Sequence, residues 1–247
     1  MLVAIINHEC TANAIALKKA FSLHETTVLI DSGSRISEKN RPHFDVLLPN
    51  VYYAGLLNHT YNIMVQTDQR WLLLICSDVT IADVDNFVNI LRQSITRFHF
   101  GIIAPAIARK SHHRQMVVQP GQAPREVPFV DGYCLAIRRE ILDRLCPIDT
   151  SINQIGWGIE THLGLIAKQL GLRAVVHDAI LVEHTDGSGY AHTEARQQRA
   201  DYFSHVGWDL RLYWRLTERW WMKNTAWERV IRFLPWRMFA CMRGKSA

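Results

Sequence analysis

The chain has 247 residues, 48% of them hydrophobic and 21% charged, which suits a folded domain with ample core and excludes a disordered chain. Its five cysteines (Cys10, Cys76, Cys134, Cys146, Cys241) are scattered and form no C-x-x-C pair, which argues against a disulfide framework or a zinc site and for a reducing compartment. The net charge of +5 is uneven: from Arg211 onward nine Lys or Arg face two Glu, a balance of +7, whereas 19 basic and 21 acidic residues before it give −2, so the basicity belongs to a tail and no nucleic-acid partner is expected.

The N-terminal MLVAIINHEC has too short an apolar run for a signal peptide and no basic region before it. No stretch reaches the roughly 18 apolar residues of a membrane span, so a cytoplasmic protein is expected. LVAII (2–6) reads as a strand, followed by a helix near 12–21. TTVLI (26–30) is a second strand that runs into Asp31-Ser32-Gly33-Ser34, and DVLL (45–48) is a short third before a helix over about 54–68. WLLLIC (71–76) is continuously apolar, as a strand covered on both faces requires, and it stops at Ser77-Asp78. A helix near 82–94 and a strand at 101–104, ended by Pro105, continue the alternation. Such a series predicts an α/β fold with an open, mostly parallel sheet flanked by helices, whose ligand crevice lies beyond the C-terminal strand ends. Asp31 and Asp78 sit at two of those ends.

The stretch 106–126 is polar and basic and reads as a loop or irregular hairpin, with His112 and His113 solvated. VPFVDGYCLAIRREIL (127–142) reads as a strand ending at Asp131-Gly132 and leading into a helix. The most informative segment is GWGIETHLGLIAKQLGLRAVVHDAILVEHTDGSGY (156–190). Leu163, Ile166, Ala167 and Leu170 mark one apolar helical face, and Gly171 ends the helix. Gly156 and Gly158 allow a tight bend before it, so Glu160 projects from a helix N-terminus, where partial positive charge favours the carboxylate. A carboxylate so placed suits a general base for a hydroxyl. A strand later, His184 precedes a Gly-rich loop.

In their order these motifs resemble the GT-A glycosyltransferases, specifically the family 2-like enzymes that move a sugar from a nucleotide donor. VLIDSGS (28–34) resembles the strand-end segment that meets the nucleotide, and PNVYYAGLLNHTY (49–61) the segment before the metal-site strand. LLLICSDV (72–79) is similar to the strand ending in the D-x-D signature, with Cys76 in place of the first acid. GIIAPAI (101–107) and VDGYCLAIRREIL (130–142) have counterparts, GWGIETHL (156–163) resembles the Glu-Asp segment with Thr161 in place of Asp, and EHTDGSG (183–189) the late His-containing segment. The match covers about residues 2 to 190.

The resemblance implies a Rossmann-like GT-A domain over 1–207 and an inverting transfer, hexosyl or deoxyhexosyl, to a saccharide or lipid-linked glycan acceptor in polysaccharide biosynthesis. It implies Asp31, Ser77, Asp78 and Asn58 on the donor side. Asp78 and His184 become ligands of Mn²⁺ or Mg²⁺, which neutralises the diphosphate leaving group. Glu160 becomes the base, with Asp131 as the alternative because Thr161 cannot serve at neutral pH. A catalytically silent nucleotide-sugar-binding module is the competing reading that Thr161 keeps open. A nucleotidyltransferase is disfavoured, since no Gly-rich phosphate loop with Lys or Arg follows the first strand.

Residues 208–247 lie outside the match. Arg211, Arg215, Arg219 and Lys223 recur at i+4, with Leu210, Tyr213, Trp214, Trp220 and Trp221 largely on the other side. That pattern fits either peripheral attachment to an anionic membrane surface or a C-terminal helix packed on the domain.

Overall fold

The expected alternation of strands and helices builds one mixed sheet. The computed structural model describes residues 1–108, 111, 113–119, 124–184 and 190–221. The first half is β1 (Leu2–Asn7), α1 (Thr11–Phe21), β2 (Thr26–Ser32), β3 (Val46–Leu48), α2 (Tyr52–Val65), β4 (Trp71–Cys76), β5 (Val79–Thr80) and α3 (Val84–Arg97). The second is β6 (Phe100–Ile107), β7 (Arg125–Val127), β8 (Cys134–Arg138), α4 (Arg139–Leu145), α5 (Ile159–Gln169), β9 (Arg173–His184), α6 (His192–Val206) and α7 (Trp208–Trp221).

Among the described residues the strand order is β3-β2-β1-β4-β8-β6-β9-β5, with β7 also on β9. β1, β2, β3 and β4 are mutually parallel, and β6 runs parallel to β9. β8 lies antiparallel between β4 and β6. Leu72, Leu73, Leu74 and Ile75 are at most 1% exposed, as their unbroken apolar run required. Burial of each such side chain stabilises the fold by about 1.5–3 kcal/mol.

Three expectations are corrected. Asp131-Gly132 precedes β8 and does not end a strand. The apolar pattern is blind to strand direction, and because β8 is reversed its beginning lies at the same sheet edge as the ends of its parallel neighbours. Pro105 does not end β6, which continues to Ile107. The register with β9 shifts between Pro105 and Ala106, and such an irregularity accommodates a residue without an N–H. The stretch 106–126 is more than a loop: its far end forms β7 on β9. Nearly buried Asp178 accepts from Arg125 Nη2 at 2.9 Å and from the Gln119 backbone N–H at 2.9 Å, tying this stretch to the sheet.

α7 packs against α5 and α6. Leu210, Tyr213 and Thr217 are buried, and the Tyr213 hydroxyl donates to the Pro128 carbonyl at 2.6 Å. This part of the tail is therefore core. The Trp220 and Trp221 side chains, and everything from 222 to 247, lie outside the described residues, as do His112 and the loop 185–189.

Gly164 fixes how closely α5 approaches the segment leading to Asp131, because a Cβ there would collide with the Pro128 carbonyl oxygen and touch Phe129. Gly164→Ala must push the helix away, so we expect a loss of about 1–3 kcal/mol despite the better helix propensity of Ala, read as a lowered urea midpoint at unchanged slope.

Candidate active site

A cavity of about 890 Å³ opens at the edge where β1, β4 and β9 end and β8 begins. Its lining includes Asn7, Ser77, Asp78, Asp131, Glu160 and His184.

Backbone register brings Asp78 and His184 together. β5 pairs antiparallel with the end of β9, with Val79 opposite His184, so the residue before Val79 lies beside the imidazole. His184 Nε2 is 3.1 Å from Asp78 Oδ2, and the ring stacks on Tyr133 with centroids 4.9 Å apart. Asn13 holds the turn by donating to the Ser77 and Val79 carbonyls at 2.7 and 2.8 Å. Asp78 Oδ1 is buried and has no hydrogen-bond partner among the described residues. A buried carboxylate oxygen without a donor is costly, and a cation is what satisfies it. The described residues contain no cluster of three His, Cys, Asp or Glu side chains suited to a metal. One carboxylate and one imidazole could hold a hard cation of the Mg²⁺ or Mn²⁺ kind, with positions left for phosphate oxygens and water.

Glu160 lines the same cavity from the first turn of α5. Gly156 and Gly158 take φ of +97° and +90°, the left-handed turns that their sequence positions suggested. Gly132 leaves room for this carboxylate, since a Cβ there would come 2.5 Å from Glu160 Oε1 and 2.8 Å from the Tyr53 hydroxyl. Burial first, then Glu160, pushes the Tyr53 phenol well above its usual range, so it remains a donor, 3.3 Å from the Gly132 carbonyl. Asp131 accepts from Ser111 Oγ at 2.9 Å and lies 3.3 Å from His113 Nε2. These contacts correct the expectation of a solvated His113, whose ring is held edge-on against Phe129.

The other expected residues divide. Ser77 is buried and lines the cavity, its backbone N–H donating to the Ile6 carbonyl at 2.9 Å. Asp31 is 2% exposed and outside the lining; its carboxylate accepts from Asn7 Nδ2 at 2.7 Å and the Ser34 N–H at 2.9 Å. It orients Asn7, which does line the cavity and whose Oδ1 is buried without a partner among the described residues. Asn58 is absent from the lining, because both ends of its amide pair with the backbone of Ile148 at 2.8 Å. Its role is to pin α2 to that segment.

One cavity wall was not legible before the fold. His192, Arg196 and Arg199 recur at i, i+4 and i+7 on α6 and all line the cavity. A helix with two carboxylates and polar residues around it reads as a solvated surface. Packing against the Gly-Trp-Gly turn, where Gln198 accepts from the Ile155 N–H at 3.0 Å, is what directs that face inward.

No protein-family model and no curated protein matches this chain. Solved structures do. GalNAc-T7 with UDP, GalNAc and Mn²⁺ superposes with a TM-score of 0.54 at 16% identity, over 74% of this chain and 43% of that one. The mannosyltransferase PcManGT from Pyrobaculum calidifontis, with GDP-Man and Mn²⁺, gives 0.53 at 17% identity, over 83% and 63%. Glucosyl-3-phosphoglycerate synthase from Mycobacterium tuberculosis, with Mn²⁺, UDP-Glc and phosphoglyceric acid, gives 0.53 at 16%, over 82% and 78%. The chain thus spans less than two thirds of the first two of these proteins. At such identities the likeness is one of fold, and it agrees with the strand order and the cavity at the sheet edge: the chain has the GT-A fold.

Proposed function

We propose that the chain is a divalent-metal-assisted glycosyltransferase that moves a sugar from a nucleotide donor to a hydroxyl acceptor with inversion. The observation that carries this reading is the pairing of Asp78 with His184, one carboxylate oxygen without a partner among the described residues, in one cavity with Glu160. The solved structures of the same fold hold nucleotides or nucleotide sugars with Mn²⁺, which supports the assignment.

Asp78 and His184 would hold the cation, which supplies the charge that makes a nucleoside diphosphate a competent leaving group. Ser77 and Asn7 shape the donor side of the cavity. Glu160 takes the proton from the attacking hydroxyl as that oxygen bonds to the anomeric carbon from the face opposite the departing diphosphate. Attack from that face inverts the centre and needs no covalent enzyme intermediate. Thr161, 4% exposed, is a wall residue in this scheme.

No described helix is long and apolar enough to cross a membrane. We infer peripheral attachment to an anionic membrane through residues beyond 221, where six Lys or Arg accompany one Glu. The location of α7 in the core moves the informative truncation to Trp221, since cutting after Gly207 would strip Leu210 and Tyr213 from their packing. The shortened protein should leave anionic liposomes at low salt while its nucleotide binding persists; equal retention of both forms contradicts attachment through this segment.

Two substitutions test the chemistry. Asp78→Asn should cut Mn²⁺-dependent nucleotide-sugar binding at least tenfold by calorimetry, with an unchanged circular dichroism spectrum; full turnover in EDTA would refute a metal role. Glu160→Gln keeps the shape but removes basicity, so kcat should fall roughly 10²–10⁴-fold with donor affinity little changed. Surviving turnover would move the base to Asp131.

A further inference from the structure

The α6 wall has a composition that the proposed reaction does not use. Arg196 lines the cavity and has no ion-pair partner among the described residues. Arg199 lies between two indoles, its guanidinium carbon 5.7 Å from the Trp157 ring centre and 5.2 Å from that of Trp214. Stacking of this kind fixes a guanidinium by its faces, while its N–H donors lie in the plane. His192 adds an imidazole 5.6 Å from the Trp157 ring. The carboxylates of α6 are turned to its own glutamines: Glu194 accepts from Gln198 and Asp201 from Gln197, each at 3.0 Å, and neither lines the cavity.

Position says which substrate this wall meets. A Cβ on Gly158 would touch Arg199 Cγ at 3.0 Å, so the arginine stem packs on the residue that begins the helix of Glu160. If Glu160 is the base, the acceptor hydroxyl sits beside it, and the neighbouring cations face the acceptor. The cation and the donor diphosphate fall, in the proposed reaction, to Asp78 and His184. Trp157, whose indole N–H donates to the Tyr190 hydroxyl at 2.9 Å, adds an aromatic surface beside them.

We propose that His192, Arg196 and Arg199 bind a phosphate group carried by the acceptor, so that this chain glycosylates a phosphorylated hydroxyl compound. The inference rests on the glycosyltransferase reading and adds its acceptor class. Two guanidiniums and an imidazole match a phosphate in charge and in donor number, and such charge-assisted hydrogen bonds are strong where water is partly excluded.

The test uses full-length protein saturated with Mn²⁺ and whichever of UDP or GDP it binds, so that the diphosphate position is already filled. Calorimetric titration then compares glucose, glucose 6-phosphate and a short-chain phosphatidylinositol, each phosphate also carrying free hydroxyls; the tighter of the two phosphates identifies a soluble or a lipid source. Arg196→Ala should weaken the phosphate probe by on the order of tenfold or more, and Arg196→Glu further, with nucleotide affinity unchanged. Equal affinity of the wild type for glucose and its phosphate overturns the proposal. So does an Arg196→Ala variant that loses nucleotide affinity but keeps the phosphate probe, which would assign the wall to the donor. Absence of Mn²⁺-dependent nucleotide binding in the wild type is a separate failure: it removes the glycosyltransferase reading, and this inference with it.

Discussion

The pairing of two short backbone segments, Val79–Thr80 with Glu183–His184, sets the geometry of the cavity's polar pair. It turns the chain back immediately after Asp78 and holds the end of β9 against that turn. Asp78 and His184 are 106 residues apart in sequence, and this register is what puts their polar atoms 3.1 Å from each other. A one-residue slip would send the imidazole to the opposite face and leave the carboxylate with neither of its charge-balancing options. Tyr133 on one side and the Asn13 amide on the other hold the pair without competing for Asp78 Oδ1.

The second governing feature is the reversal of β8. Inserted antiparallel between β4 and β6, it brings its N-terminal approach, Asp131-Gly132-Tyr133, to the edge where the parallel strands end. That approach supplies the stacking partner of His184, the gap that admits Glu160, and the carboxylate that organises Ser111 and His113. Gly132 and Gly164 act together here, the first making room for the Glu160 side chain and the second for the helix that carries it.

Local signals made much of this legible. The period of Leu163, Ile166, Ala167 and Leu170, closed by Gly171, located α5 closely enough to put Glu160 in its first turn. The apolar run before Ser77-Asp78 located a buried strand and the acid beyond its end. Strand direction was not legible, because alternation and apolarity look the same in either sense; hence the misplaced Asp131. Asn58 was placed on the donor side by the family resemblance alone, yet an amide can satisfy a backbone segment as readily as a ligand, and only the fold reveals Ile148 within its reach. The α6 wall escaped notice for a related reason: a polar helix carries no period that distinguishes a face in a cavity from a face in water.

The tail helix shows how the two halves of the problem join. Leu210, Tyr213, Trp214 and Thr217 follow the same i, i+3, i+4, i+7 spacing that marks any buried helical face, and they seat α7 on α5 and α6. Through Trp214 this seat reaches Arg199, and through Arg199 it reaches Trp157 in the cavity wall. The hydroxyl of Tyr213 meanwhile holds the Pro128 carbonyl, the atom against which Gly164 allows α5 to close. The helix that first reads as an appendage is therefore a support for both sides of the Glu160 position.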